Sequence, residues 1–125
     1  MKSYWLNIPV ADIKRTRAFY NGIGLEFHQG NSDDNMTGLK VGSQMLMFFN
    51  KSVLESRTGM SFTDTDDGNE FIVSFDLESN EEVDQLAVNV ERSGGEVLEQ
   101  PRQSHGYYGF AFKDPDGHLF NVIVM

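Results

Sequence analysis

The sequence contains no cysteine, which excludes disulfide staples, thiolate metal ligands and a cysteine nucleophile. It is also short of basic residues. Ten Lys and Arg stand against nineteen Asp and Glu, a formal net charge of −9. A phosphate backbone needs a basic face, so no nucleic-acid partner is expected. The acidic balance is compatible with a cationic ligand, and solubility alone accounts for it equally well. Long apolar runs are missing too: no stretch approaches the roughly 18 residues of a membrane span. The N-terminus meets Asn7 and Pro9 before a signal-peptide core could form. A cytoplasmic protein without a membrane partner is expected. No nucleophile elbow, P-loop or dinucleotide fingerprint occurs.

What is present is an ordinary globular composition, 39% hydrophobic and 23% charged in 125 residues, enough for one domain with a real core. Tyr4 to Val10 reads as a strand. Asp12 is a helix N-cap, and Ile13, Thr16, Phe19, Tyr20 and Ile23 then recur at helical spacing until Gly22 and Gly24 stop the run. Strands follow at Leu25 to Gln29, Met36 to Val41 and Gln44 to Asn50, separated by a polar turn from Gly30 to Asn35 and a tight one at Gly42-Ser43. The same order then repeats. Glu70 to Leu77 is a strand. Ser79 or Asn80 caps a helix with apolar Val83, Leu86, Ala87 and Val90 and acidic Glu81 and Glu82 in its first turn. Strands at Glu96 to Glu99, Tyr107 to Lys113 and His118 to Val124 complete it, the last two joined by the Asp114-Pro115-Asp116-Gly117 turn.

Strand-helix-strand-strand-strand thus occurs twice. The expectation is an α+β domain spanning residues 1–125. Module one is 1–50, a connection without clean periodicity is 51–69, and module two is 70–125. The connection is expected to hold a short strand or a lid, with Phe62 a candidate to close over a cavity.

Val10-Ala11-Asp12, Phe19-Tyr20 and Gly24-Leu25, together with Phe112-Lys113-Asp114-Pro115-Asp116-Gly117-His118, resemble the two module signatures of the vicinal-oxygen-chelate superfamily (glyoxalase, bleomycin-resistance protein, extradiol dioxygenase). The resemblance implies two βαβββ modules forming a curved, partly closed mixed sheet around a pocket, and a homodimer. In metal-dependent members four inward positions bind a divalent ion. Carried over by motif spacing, they fall on Trp5, near Met47, near Ile72 and on Asn121. None is His, Asp or Glu, the ligands hard divalent ions require, so no metal and no cofactor is expected. The three histidines, His28, His105 and His118, are scattered through the sequence.

Strand alternation adds Asn7, Met45, Phe49, Ser74, Leu119 and Ile123 to the inward set. The ligand-binding candidates are Trp5, Asn7, Met47, Ile72, Tyr107 and Asn121, an apolar, aromatic and thioether lining with a few amides, suited to a small organic molecule. Plain core is the competing reading for the Met, Phe and Ile positions. Tyr107-Tyr108, between Gly106 and Gly109, reads equally as pocket wall or as simple strand former. The run Asp64 to Asp67 lacks calcium-loop spacing and reads as a solvated loop, and Asp114 and Asp116 read as turn-forming residues. Two functions remain open. One is metal-independent sequestration of a small, potentially cationic molecule, as in antibiotic-resistance binding proteins. The other is a lyase or isomerase with a displaced or absent metal, for which Asp76 is the best general base.

Overall fold

The structure, a computed structural model, describes residues 1–28 and 33–125. Gln29, expected to end the second strand, and residues 30–32 of the expected polar turn lie outside the described residues. The chain divides into two compact units, Met1–Thr63 and Asp64–Met125. Each is a βαβββ module with its own four-stranded mixed sheet.

The first module contains β1 (Leu6–Val10), α1 (Ile13–Gly22), β2 (Phe27–His28), β3 (Met36–Val41), β4 (Gln44–Asn50) and a second helix, α2 (Lys51–Thr58). The sheet order is β1-β4-β3-β2, with β1 parallel to β4 and the other pairs antiparallel. Asp12 caps α1 by accepting from the Lys14 and Arg15 amides at 2.9 and 3.3 Å. The expected stripe is the buried one: Ile13, Thr16, Phe19, Tyr20 and Ile23 all lie inside. Tyr20 stacks on Phe48 of β4 at 5.0 Å and meets Phe19 edge-on at 4.9 Å. Ile8, Val10, Leu39, Leu46 and Phe48 complete this core, the even-numbered side of β1 and β4 that alternation assigns to one face.

The helix α2 stands where the sequence expectation allowed a short strand after Asn50. Its run, Lys-Ser-Val-Leu-Glu-Ser-Arg-Thr, buries only Leu54 and has no side-chain cap at Asn50. A helix of eight residues with so narrow an apolar stripe gives almost no periodic signal. The first strand also begins at Leu6 rather than Tyr4, leaving Trp5 just ahead of it.

The second module contains a single 3-10 turn at Thr65–Asp67, then β5 (Ile72–Leu77), α3 (Asn80–Arg92), β6 (Glu96–Ser104), β7 (Tyr107–Lys113) and β8 (Leu119–Val124). The sheet order is β5-β8-β7-β6, with β5 parallel to β8. Ser79 and Glu82 form a reciprocal capping box on α3, and Val83, Leu86, Ala87 and Val90 are its buried residues. Phe112 and Phe120 stack at 5.0 Å in the core beneath. The strand β6 runs past Pro101 instead of ending at Glu99. The register shifts between Glu99 and Arg102, and at such a bulge the missing proline N–H leaves no ladder bond unmade.

The acidic side chains Asp64, Asp66 and Asp67 are exposed to solvent as expected, while the backbone of the run is tied to the second module. Thr65 donates to the Asp116 carbonyl, and Asn69 donates to the Gly117 carbonyl at 3.0 Å. Asp114 is buried and accepts from the Asp116 and His118 amides at 3.0 and 2.9 Å, the local bonding expected of that turn. Among the described residues no helix is long and apolar enough to cross a membrane.

Candidate functional site

Each sheet has one face turned toward its main helix and one turned away, and the candidate residues fall on the faces turned away. In the second module α3 marks the helix side, because Tyr108 of β7 donates to the Asp84 carboxylate of α3. Alternation sends Gly109 and Ala111 to the opposite side. Register then sets out that opposite face in three rows across β5, β8, β7 and β6. They are Ile72, Leu119, Lys113 and Glu96; Ser74, Asn121, Ala111 and Glu99; and Asp76, Ile123, Gly109 and Arg102.

Asn121 sits at the middle of this face, half-buried, with its amide 3.5 Å from the Ser74 hydroxyl. Gly109 and Ala111 carry almost no side chain, so the centre lies low between the β8 residues and the Glu99–Arg102 ion pair on β6. Ile72 is 57% exposed, far from the burial a core isoleucine would have. Asp76 is an exposed carboxylate on the same face. Tyr107 is exposed at the hairpin end opposite Ser104, and Tyr108 turns to α3, so the pair does not form one wall.

The face of the first module is partly covered. Asn7 pairs with Met47, and Met45, Met47 and Phe49 share that side with Met36 and Lys40. Leu54 of α2 packs with Met47 and Phe49, flanked by Met36, Met45, Val53 and Phe62. Met47 is therefore a core residue beneath α2, and Phe62 packs on this cluster with its amide donating to the Glu55 carboxylate at 3.0 Å. Asn7 is exposed and Trp5 is 55% exposed. Arg57, which sequence reasoning passed over, holds its guanidinium 5.5 Å above the Phe49 ring. The signal for it was absent because α2 itself was not foreseen.

The donor set does not fit a divalent metal. An indole and a hydrocarbon offer no lone pair, a thioether is too soft, and one neutral amide is weak. Those are the groups at Trp5, Ile72, Met47 and Asn121. His105 forms the turn between β6 and β7, and His118 follows the Asp-Pro-Asp-Gly turn. Among the described residues no three His, Cys, Asp or Glu are grouped to hold an ion.

A family model described as Glyoxalase/Bleomycin resistance protein/Dioxygenase superfamily matches residues 3–122. Among solved structures, the chain is similar to a hypothetical protein of S. aureus, at 32% identity and a TM-score of 0.89 over 100% of this chain and 94% of that one. It is similar in fold to a glyoxalase-related enzyme from Fulvimarina pelagi, at 17% identity and a TM-score of 0.85, covering 100% and 89% of the two chains. A possible glyoxalase from Bacillus cereus follows at 25% identity and a TM-score of 0.65, covering 98% of each. No curated protein matches the sequence.

Proposed function

We propose that this chain, which belongs to the Glyoxalase/Bleomycin resistance protein/Dioxygenase superfamily, is a metal-independent binder of a small organic molecule. The carrying observation is the character of the four positions inherited from the metal-dependent pattern. Trp5, Met47, Ile72 and Asn121 supply flat, soft and apolar surface and one amide, and no ionic donor. Within the first module Trp5 and Met47 offer flat and soft apolar surface, and within the second Ile72 and Asn121 offer a hydrocarbon and an orienting amide, each the kind of lining that suits a small organic ligand. Three of the four are at least partly open: Trp5 at 55% and Ile72 at 57% exposed, with Asn121 half-buried. On the second module's face the exposed Ile72, one row from the Asn121 amide, is what a ligand face presents. Sequestration of the bleomycin-resistance type suits this surface better than turnover, because the carboxylates on it, Asp76, Glu96 and Glu99, are all exposed to solvent rather than held in the apolar setting that tunes a general base. The same reading takes the working form to be a homodimer, which sedimentation velocity checks.

The test is a titration of metal-stripped protein followed by thermal shift and by fluorescence of Trp5, the only tryptophan. The panel contains small aromatics, cationic glycopeptide drugs and the ions of Ni, Zn, Mn and Fe(II). A ligand that binds only the native state raises the midpoint with concentration. The expected result is a saturable shift with an organic compound, weakened about tenfold or more in Asn121→Leu, which removes an orienting hydrogen bond. A saturable shift with a metal alone, abolished in His105→Ala or His118→Ala, overturns the proposal and restores a metal-dependent enzyme.

A further inference from the structure

We infer that the ligand is an organic anion, and that Arg57 is the residue that reads its charge. This rests on the binding reading above and fixes the ligand class. Three observations lead to it. The first is placement. Val53, Leu54 and Arg57 lie at helical spacings of three and four, so they share one side of α2. Val53 and Leu54 pack on the Met47–Phe49 cluster, and Arg57 continues that stripe one turn on, where another apolar residue would extend the core. Its guanidinium instead lies over Phe49. The ring holds the cation in place and leaves its N–H donors for an acceptor.

The second is the absence of a competing carboxylate. Glu55, the acidic residue of α2, is committed to the Phe62 amide and sits two positions from Arg57, on another side of the helix. Among the described residues no carboxylate pairs with Arg57. On the sheet face itself the β1, β4 and β3 positions Asn7, Pro9, Met36, Gly38, Lys40, Met45, Met47 and Phe49 include one cation and no acid, and the acid at the far edge, Glu26, stands opposite Lys40.

The third is the distribution of charge. The unit Met1–Thr63 contains seven Lys and Arg and five Asp and Glu, a balance of +2. The unit Asp64–Met125 contains three and fourteen, a balance of −11. The overall −9 belongs to the second module, and the first is weakly basic. An acid beside an apolar or aromatic body fits the first module's face: the body on Met and Trp surface, the acid on the Arg57 fork.

The experiment uses the full chain and four matched probes: phenylacetate, phenyl phosphate, phenylacetamide and phenethylammonium. Binding is followed by amide chemical shifts and Trp5 fluorescence. At least one anion is expected to bind about tenfold more tightly than the amide, as a charged hydrogen bond provides. The preference should weaken with added salt. In Arg57→Gln the anion-to-amide ratio falls to near one with the amide's own affinity unchanged, and Arg57→Lys keeps part of it. The relative strength of the two anions separates a carboxylate from a phosphate ligand. A ratio that survives Arg57→Gln overturns the inference, because Arg57 then serves packing only. Equal binding of the amide, or preference for the ammonium, overturns it while leaving the binding function intact. No binding by any of the four also overturns it, whereas the binding function falls only if the wider panel fails as well.

Discussion

Replacing Gly109 with alanine tests the close approach of β7 and β8 at the centre of the second module's open face. A Cβ built there stands 2.1 Å from the Val122 carbonyl oxygen and 3.0 Å from both Cα and Cγ2 of Ile123. Ordinary carbon–oxygen contacts begin near about 3.3 Å, so the strands must separate by roughly 1 Å on a spacing of about 4.8 Å. The obstacle is backbone, which cannot rotate aside. Overpacking of this kind costs about 1–3 kcal/mol, and each ladder hydrogen bond stretched adds about 1 kcal/mol. Loss of unfolded-state freedom returns up to about 1 kcal/mol. The net expectation is about 2–4 kcal/mol, read as a fall in the urea midpoint and as a drop of roughly 4 °C in Tm per kcal/mol. Gly42→Ala is the control. Nothing lies within 4 Å of its added Cβ, and the only cost is a φ of 59°, about 1–2 kcal/mol. If Gly109→Ala loses no more stability than Gly42→Ala, the β7–β8 spacing is not what keeps this position glycine.

Two further outcomes follow from the same module. The Tyr108 phenol donates to the Asp84 carboxylate, and that hydrogen bond, with slight burial and the charges of Asp84 and Glu81, raises its pKa above 10.0. A raised folded-state pKa gives stability that is present below the unfolded value and lost as pH climbs through the folded one. Tyr108→Phe should therefore destabilise at neutral pH, with the difference fading in alkali, and absorbance titration at 295 nm should lose a tyrosine that ionises above the ordinary range; an unchanged titration curve contradicts the bond. His105 has a φ of 51° and Gly106 one of 87° in the two-residue turn joining β6 and β7, the geometry of a hairpin turn that favours Asn-Gly. His105→Asn should raise the thermal midpoint, corresponding to about 0.5–1 kcal/mol, and a fall would show that the imidazole has a role in the fold.

Much of the fold was legible because its signals are local. The caps at Asp12 and Ser79, the apolar stripes of α1 and α3, and the Asp-Pro-Asp-Gly turn each state an element within a few residues. Strand alternation placed Asn7 with Met47 and Ser74 with Asn121 on the faces the register gives them. The rest was less accessible for equally physical reasons. α2 contributes a single fully buried side chain and an uncapped start, so its stability comes from packing on Met47 and Phe49, which no local pattern encodes. Pro101 looked like a strand end because its missing N–H is tolerated only at a bulge, and the bulge depends on the partner strand. The exposure of Ile72 was hard to read too, since an apolar residue in a strand pattern also reads as core.

Arg57 shows how such a gap bears on function. Net charge is a sum over the chain, and a ligand responds to the groups on the face it meets, screened beyond about 8 Å at physiological salt. Taken over the whole sequence, −9 is compatible with a cationic ligand. Resolved by module, it becomes +2 and −11, and the first module's α2 carries a guanidinium onto an aromatic ring beside sheet positions of β1, β3 and β4 that contain lysine and no acid. The sign proposed for the ligand's charge thus rests on a helix with little periodic signal, packed over Met47 and Phe49. The cation that the proposal offers to a ligand is the side chain of Arg57, held over the Phe49 ring.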